Sequence, residues 1–401
     1  FTGSDATAVG NDALKACTTG AENVAVGSAA LGAVVDAHYN TAVGTSALAA
    51  DCGSSNVAVG RLALNVFTGD DATAIGTSAA DAATTAGNLT AVGRNAAGSV
   101  TDSDDHTAIG DNALASCTTG AQNTALGSNA AFALTGSSNV MLGMNSGYYA
   151  TTTDDCVAIG RNALLGASGN TTGNQNVAIG SYCLDAATSA TENVAIGAYA
   201  GSAATTASYS TFIGKNSGDA ITTGNQNTAL GYSTLSASDD GANNVAVGNA
   251  ALGTGNCGDS NTAVGFNALV AATGGYNTAV GANAADAVTD AARITAIGRD
   301  ALGLAVSQDD CTAVGYAALD AATSGDGCTA VGSHALGGTV DGIQNTAVGF
   351  NALKADCGNY NTALGAGCLT SCTGTENTAI GQAAGNGMTS GSQNVAIGYA
   401  S

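Results

Sequence analysis

Proline and tryptophan are absent from the 401 residues, and aromatic side chains make up only 4% of them. Without large rings there is no thick aromatic core to assemble, so small residues must pack in thin layers. Positive charge is equally scarce, with eight Lys and Arg against 30 Asp and Glu and a net charge of −22. A surface of that sign repels phosphate backbones and anionic lipid alike, which excludes nucleic acid as a partner. No uninterrupted apolar run approaches the ~20 residues that span a bilayer, and Phe1 does not open a secretory signal pattern. The only histidines are His38, His106 and His334, at different repeat positions, so neighbouring rungs cannot assemble a zinc cluster or a catalytic triad from them.

What the chain has in quantity is glycine, 58 residues of it. Twenty-four of these close the tripeptide Ala-(Val/Ile/Leu)-Gly or a near variant, in register from Gly10 to Gly398, 16 or 17 residues apart except for a 20-residue step from Gly160 to Gly180. So short a period cannot hold a helix pair or a propeller blade. It fits one coil of a β-solenoid, expected here to carry two short strands and two turns. No stretch breaks the repeat long enough to form a linker, so residues 1–401 read as one continuous array of about 24 coils. At ~4.8 Å per rung the array would be a rod on the order of 115 Å long. Because solenoids need atypical end caps and none is visible at Phe1 or at Tyr399-Ala400-Ser401, the chain is expected to be a segment of a longer protein.

Counting each anchor glycine as position zero, position −3 is Thr in 16 coils and Val in the other 8, a β-strand signature. Position −2 is Ala in 22 coils and position −1 is always Val, Ile or Leu. Alternation along a strand puts −3 and −1 on one face and the alanine on the other. Both faces are apolar or small and a thin coil can enclose only one, so the other calls for a partner and the chain is expected to be a trimer. Beyond the glycine, Ala at +3 (18 coils) and Leu at +4 (15 coils) suggest the second strand. Position +1 reads as an outward corner. Its residues Arg61, Arg94, Arg161, Tyr232, Phe266, Tyr316 and Phe350 are the candidate ligand contacts.

Position −4 is Asn in 15 coils, among them Asn23, Asn123, Asn261 and Asn394. Stacked amides there can hydrogen-bond along the array and to the turn backbone. Five of the nine coils without that Asn carry Asp at −5 (Asp5, Asp71, Asp105, Asp155, Asp310), read as the same turn acceptor supplied from the neighbouring position.

Asn23-Val24-Ala25-Val26-Gly27 and Asn176-Val177-Ala178-Ile179-Gly180, with the apolar segments that follow them, resemble the head repeats of YadA-type trimeric autotransporter adhesins. The resemblance covers the whole chain. It implies an all-β, left-handed parallel β-roll, three chains packed side by side, on an extracellular fibre. A host-surface protein or glycan is the candidate ligand of such a fibre. Similar coils serve in phage or virus tail fibres, where such a segment is a spacer. An ice-binding solenoid is a further alternative, since 16 threonines at −3 form a ladder.

Metal and redox chemistry have weaker candidates. The pairs Asp70-Asp71, Asp104-Asp105, Asp154-Asp155 and Asp309-Asp310 recur at −6 and −5, but two carboxylates fall short of the six to eight oxygens calcium takes. They are read as solvated turns, with calcium the alternative, and Asp104-Asp105-His106 likewise as a solvated corner. Among eleven cysteines, Cys311 with Cys328, and Cys357 with Cys372, fall on adjacent coils and are the disulfide candidates. Cys183 and Cys368 replace the small Ala at +3 and are expected to pack as thiols. Gly253-Thr254-Gly255-Asn256-Cys257-Gly258 fits the dinucleotide fingerprint without the helix that would make it a phosphate site. Asn88-Leu89-Thr90 and Asn170-Thr171-Thr172 are acceptor sequons that matter only in a glycosylating host.

Overall fold

A computed structural model describes residues 5–167, 171–304 and 306–401; Asn170 of the second sequon lies outside them. The chain divides into two compact units, Phe1–Thr206 and Ala207–Ser401. Each is a parallel β-solenoid, and no helix occurs among the described residues. The first unit holds twelve three-residue strands, from Thr7–Val9 to Val194–Ile196, and the second twelve more, from Thr211–Ile213 to Val395–Ile397. Within each unit consecutive strands pair in parallel with −3, −2 and −1 opposite their counterparts, as in Thr262↔Thr278, Ala263↔Ala279 and Val264↔Val280.

Each coil has one strand, not two. Positions +2 and +4 take a left-handed backbone in both units, as at Asn267 (φ 54°) and Leu269 (φ 50°), and such residues cannot continue a strand. The apolar Ala-Leu pair that suggested a second strand is a stack of turns instead. Its hydrogen bonds still run between coils: Leu14 N–H donates to the carbonyl of Ala30 (3.1 Å) and Ala29 N–H to that of Asn11 (2.8 Å). Position −5 is left-handed too. The sequence carries the trace of this, because no coil places Val, Ile or Thr at −5, +2 or +4, whereas −3 is always β-branched.

The anchor glycine is required twice over. At Gly281 φ is +139°, and a Cβ there would lie 2.5 Å from the carbonyl oxygen of Gly298 in the next coil. Coils therefore stack backbone against backbone at this column.

The interior of a coil is Ala at −2, Ala at +3 and Leu at +4, joined by the buried Asn at −4. Asn40 N–H donates to Asn23 Oδ1 (2.9 Å), Asn23 Nδ2 to the Ala37 carbonyl (2.8 Å), and the same pair of bonds repeats from rung to rung. This amide ladder lies inside the coil and not at a surface corner. It satisfies N–H and C=O groups that would otherwise be stranded among alanines, each a loss of about 1–3 kcal/mol.

The exchange of Asn at −4 for Asp at −5 does not hold as a substitution, because the two positions face opposite ways. In three of the nine coils without Asn, −4 itself supplies the acceptor: Ser210 Oγ accepts from Asn227 N–H (3.1 Å), Cys156 Sγ from Asn176 N–H (3.4 Å), and His106 Nδ1 from Asn123 N–H (3.3 Å), whereas Ala6, Ala72, Leu89 and Ile294 have no acceptor to offer. His106 is thus buried in the ladder rather than placed at a solvated corner. Burial lowers its pKa from 6.5, against smaller opposing effects of the backbone and of Asp104 and Asp105. The unfolded chain then takes up the proton first, so the contribution of neutral His106 is complete above pH 6.5 and is lost as pH falls through the folded value. Replacing His106 by Asn, the usual ladder residue, should reduce the drop in urea midpoint between pH 7.5 and pH 5. An equal drop in both proteins would show that His106 does not titrate against folding.

Candidate functional site

With Ala at −2 enclosed, the strand turns −3 and −1 outward. From Val24–Val26 through Thr378–Ile380 the middle residue is buried while its neighbours are half-buried or exposed. All 48 outward positions are Thr, Val, Ile or Leu, without one charge. Across two residues and twelve rungs, each unit presents a strip about 7 Å wide and 55 Å long, roughly 380 Å² in projection. That is already the size of the largest apolar patch on an ordinary monomer, about 300–600 Å², and such patches mark interaction sites.

Either side of the strip the same alternation exposes −5 and +1. All seven +1 candidates are exposed: Arg61, Arg94, Arg161, Tyr232, Phe266, Tyr316 and Phe350. They are not gathered into one patch. The three arginines belong to the first unit, and in the second the aromatics recur every two or three coils. Several are already engaged: Arg94 pairs with Asp111 (2.7 Å), Arg161 lies over Tyr182 (4.7 Å), and Arg299 lies over Tyr316 (4.6 Å). Tyr39, Tyr209, Tyr276 and Tyr360 at −5 are further exposed aromatics on this face. Extending the period of two from −1 and −3 to −5 would have found them.

The acidic pairs separate in the same way. Their −6 member accepts a backbone N–H from the preceding coil: Asp104 from Gly87 (2.6 Å), Asp154 from Ser137 (2.7 Å), Asp309 from Ala292 (2.8 Å), and Asp70 from Ser54. Their −5 members, Asp71, Asp105, Asp155 and Asp310, stand outward, where Asp105 accepts from Asn88 Nδ2 (2.9 Å) and Asp310 from Arg293 (2.6 Å). Among the described residues no three His, Cys, Asp or Glu converge as metal ligands.

All eleven cysteines are buried thiols, so the expected pairs Cys311–Cys328 and Cys357–Cys372 are not bonded in this structure. Cys311 Sγ donates to the Gly325 carbonyl and Cys328 Sγ to that of Gly342, both at 3.2 Å, which is the bond an Asn amide makes elsewhere in the ladder. Cys357 Sγ lies 3.1 Å from Thr339 Oγ1, and Cys372 Sγ accepts from Asn377 Nδ2 (3.4 Å). Cys311 and Cys328 also hydrogen-bond to each other through their side chains, a contact that raises the Cys311 thiol and lowers that of Cys328, yet no disulfide joins the two sulfurs. Cys183 and Cys368 at +3 are buried thiols donating to Ala195 and Ala379 carbonyls. Burial pushes Cys52 and Cys183 up to about 12 and Cys117, Cys156 and Cys357 up to about 11, so these thiols are poor nucleophiles and resist oxidation.

Two hollows lie beyond the glycine column. One, of about 280 Å³, is lined by Asp286, Asp300, Asp320, Tyr316 and His334 around Gly303, whose missing side chain opens it. Burial, helped by the nearby Asp300 charge, raises the Asp286 and Asp320 carboxyls. The other, of about 370 Å³, lies between a column of asparagines at +2 and the rings of Tyr148 and Tyr149. Gly253, Gly255 and Gly258 lie in coil turns and precede no helix.

No family model matches this chain, and no curated protein matches it either.

Proposed function

We propose that the chain is a non-enzymatic, structural and adhesive fibre segment, a homotrimeric, left-handed β-roll displayed outside a cell or virion. The observation that carries this reading is the uncharged −3/−1 strip, which stays exposed on a single chain. A strip only one strand wide suits three copies meeting about a common axis, where each faces two others. The rigidity comes from stacked backbone and buried amides, and identical exposed corners on three chains would engage repeated surface ligands by avidity. A phage or virus tail-fibre spacer is the same architecture without a ligand.

Light scattering in mild buffer should return three times the 38.0 kDa chain mass. A soluble, folded species of one or two chains would overturn the trimer. The exposed Thr column also favours a second reading, ice binding, since eight consecutive strands from Thr262–Val264 to Thr378–Ile380 place Thr in register on an open face. That reading requires a monomeric strip in solution together with ice shaping at micromolar protein, and a trimer that covers the strip removes it.

A further inference from the structure

The hollow between the +2 and +5 columns of the first unit differs in chemistry from everything around it. Asn95, Asn112, Asn129, Asn145 and Asn162 occupy +2 in five consecutive coils, and each amide nitrogen donates to the next amide oxygen, at 3.0, 3.4, 3.2 and 3.2 Å in turn. This second asparagine ladder is on the outside, half-buried, and unlike the internal one it satisfies no stranded coil backbone. One N–H and one lone pair of each interior amide are used by the ladder; Asn112 gives its second N–H to Asp111 (3.5 Å), whereas Asn129 and Asn145, which line the hollow, keep a second donor and a second acceptor. The last amide, Asn162, has no acceptor for its nitrogen among the described residues.

Facing the ladder is an aromatic wall. Phe132 and Tyr148 stack with centroids 4.9 Å apart and planes at 6°, and Tyr149 meets Tyr148 edge-on at 4.6 Å and 78°. The rings hold one another, and neither phenol hydroxyl has a hydrogen-bond partner among the described residues. Leu165 closes the end. The hollow spans Asn129, Asn145 and Asn162, three rungs or about 10 Å from first to last. None of its six lining residues is charged, on a chain of net charge −22.

We propose that this groove binds a neutral glycan, seating a short run of sugar units along the rungs. Amides offering paired donors and acceptors match the hydroxyl pattern of a sugar edge, and aromatic rings match its C–H face. An anionic glycan meets no cation in the groove and a strongly negative chain around it. An apolar peptide would leave the open amides and both phenols unpaired, which costs more than the ring contacts return. The groove is separated from the −3/−1 strip by the glycine column, so it lies clear of the surface that copies of the chain would cover. This deepens the adhesive half of the proposed function by giving it a ligand class.

The test is isothermal titration of the whole chain with cellohexaose, chitohexaose and mannohexaose, and with sialyllactose as the charged comparison. At least one neutral oligosaccharide should bind and sialyllactose should not. Two variants locate the site: Asn145→Ala, and Tyr148→Ala combined with Tyr149→Ala. Alanine already stands at these coil positions elsewhere, at +2 in Ala29 and Ala250, at +5 in Ala49 and at +6 in Ala33, so the coil accepts it. Each variant should weaken binding tenfold or more. Failure of all three neutral sugars, preference for sialyllactose, or unchanged affinity in both variants would overturn the proposal. Light scattering on the same samples reads assembly independently, so a lost ligand and a lost trimer are told apart.

Discussion

Glutamate in place of Ala263 unfolds the second unit, whereas glutamate in place of its neighbour Val264 leaves the unit folded and separates the copies. Ala263 is fully buried at −2, packed against Ala279 and the strand before it, with no cation inside the coil. An unpaired carboxylate there costs several kcal/mol, and the added volume strains a layer filled by methyl groups. A typical domain holds only about 5–15 kcal/mol in total, so the change is sufficient to melt the unit. Val264 is half-exposed on the outward strip. A charge there remains hydrated in the single chain and is penalised only when a second copy covers it. Circular dichroism and light scattering on the two variants check this together. A folded Ala263→Glu chain would mean the interior is misassigned, and a trimeric Val264→Glu chain would mean that the strip is not the interface.

Alanine at an anchor glycine is the smaller mutation with a comparable effect. At Gly281 the φ of +139° belongs to a region essentially reserved for glycine, costing an L-residue about 1–3 kcal/mol by itself. The new methyl would also point at the Gly298 carbonyl oxygen, 2.5 Å away, so the two coils must part at the point where Gly298 N–H donates to Val280 (2.8 Å). Solenoid stability rests on such nearest-neighbour contacts. The total loss should exceed about 4 kcal/mol, in the class of exceptional point mutations. Urea denaturation measures it; a Gly281→Ala chain within 1 kcal/mol of the parent would refute the stacked-backbone account.

Several features of the chain can be read in its residues because they follow from composition and period. A β-branched residue at −3 in every coil, alanine at −2 and glycine at zero identify the strand, its alternation and the turn that ends it, and the structure has all three. The exposure of the +1 corners follows from the same alternation. The second strand did not survive, because apolar residues at +3 and +4 satisfy a strand pattern as well as a stack of left-handed turns. The only discriminating mark was negative, the missing β-branched residues at +2 and +4. The candidate groove was illegible for another reason: Asn129, Tyr148 and Asn162 lie in three different coils, and their sequence separation says nothing about which columns face each other across a surface.

By itself, then, the sequence determined that this is a repeating all-β array, where its strands fall, and that a thin coil can enclose only one of two small or apolar strand faces. Which face it is, only the tertiary structure decided. Thr and Val at −3 are as apolar as Ala at −2, so hydrophobicity cannot rank the two sides. Volume can, once the coil closes, because the space inside a 16- or 17-residue turn accepts a methyl group and a leucine but not two β-branched side chains per strand. The fates of His106, Cys311 and Asp104 were decided in the same way. Each took the hydrogen-bonding place that its column offers in most coils, a placement made by the rung above and the rung below rather than by its neighbours in the chain.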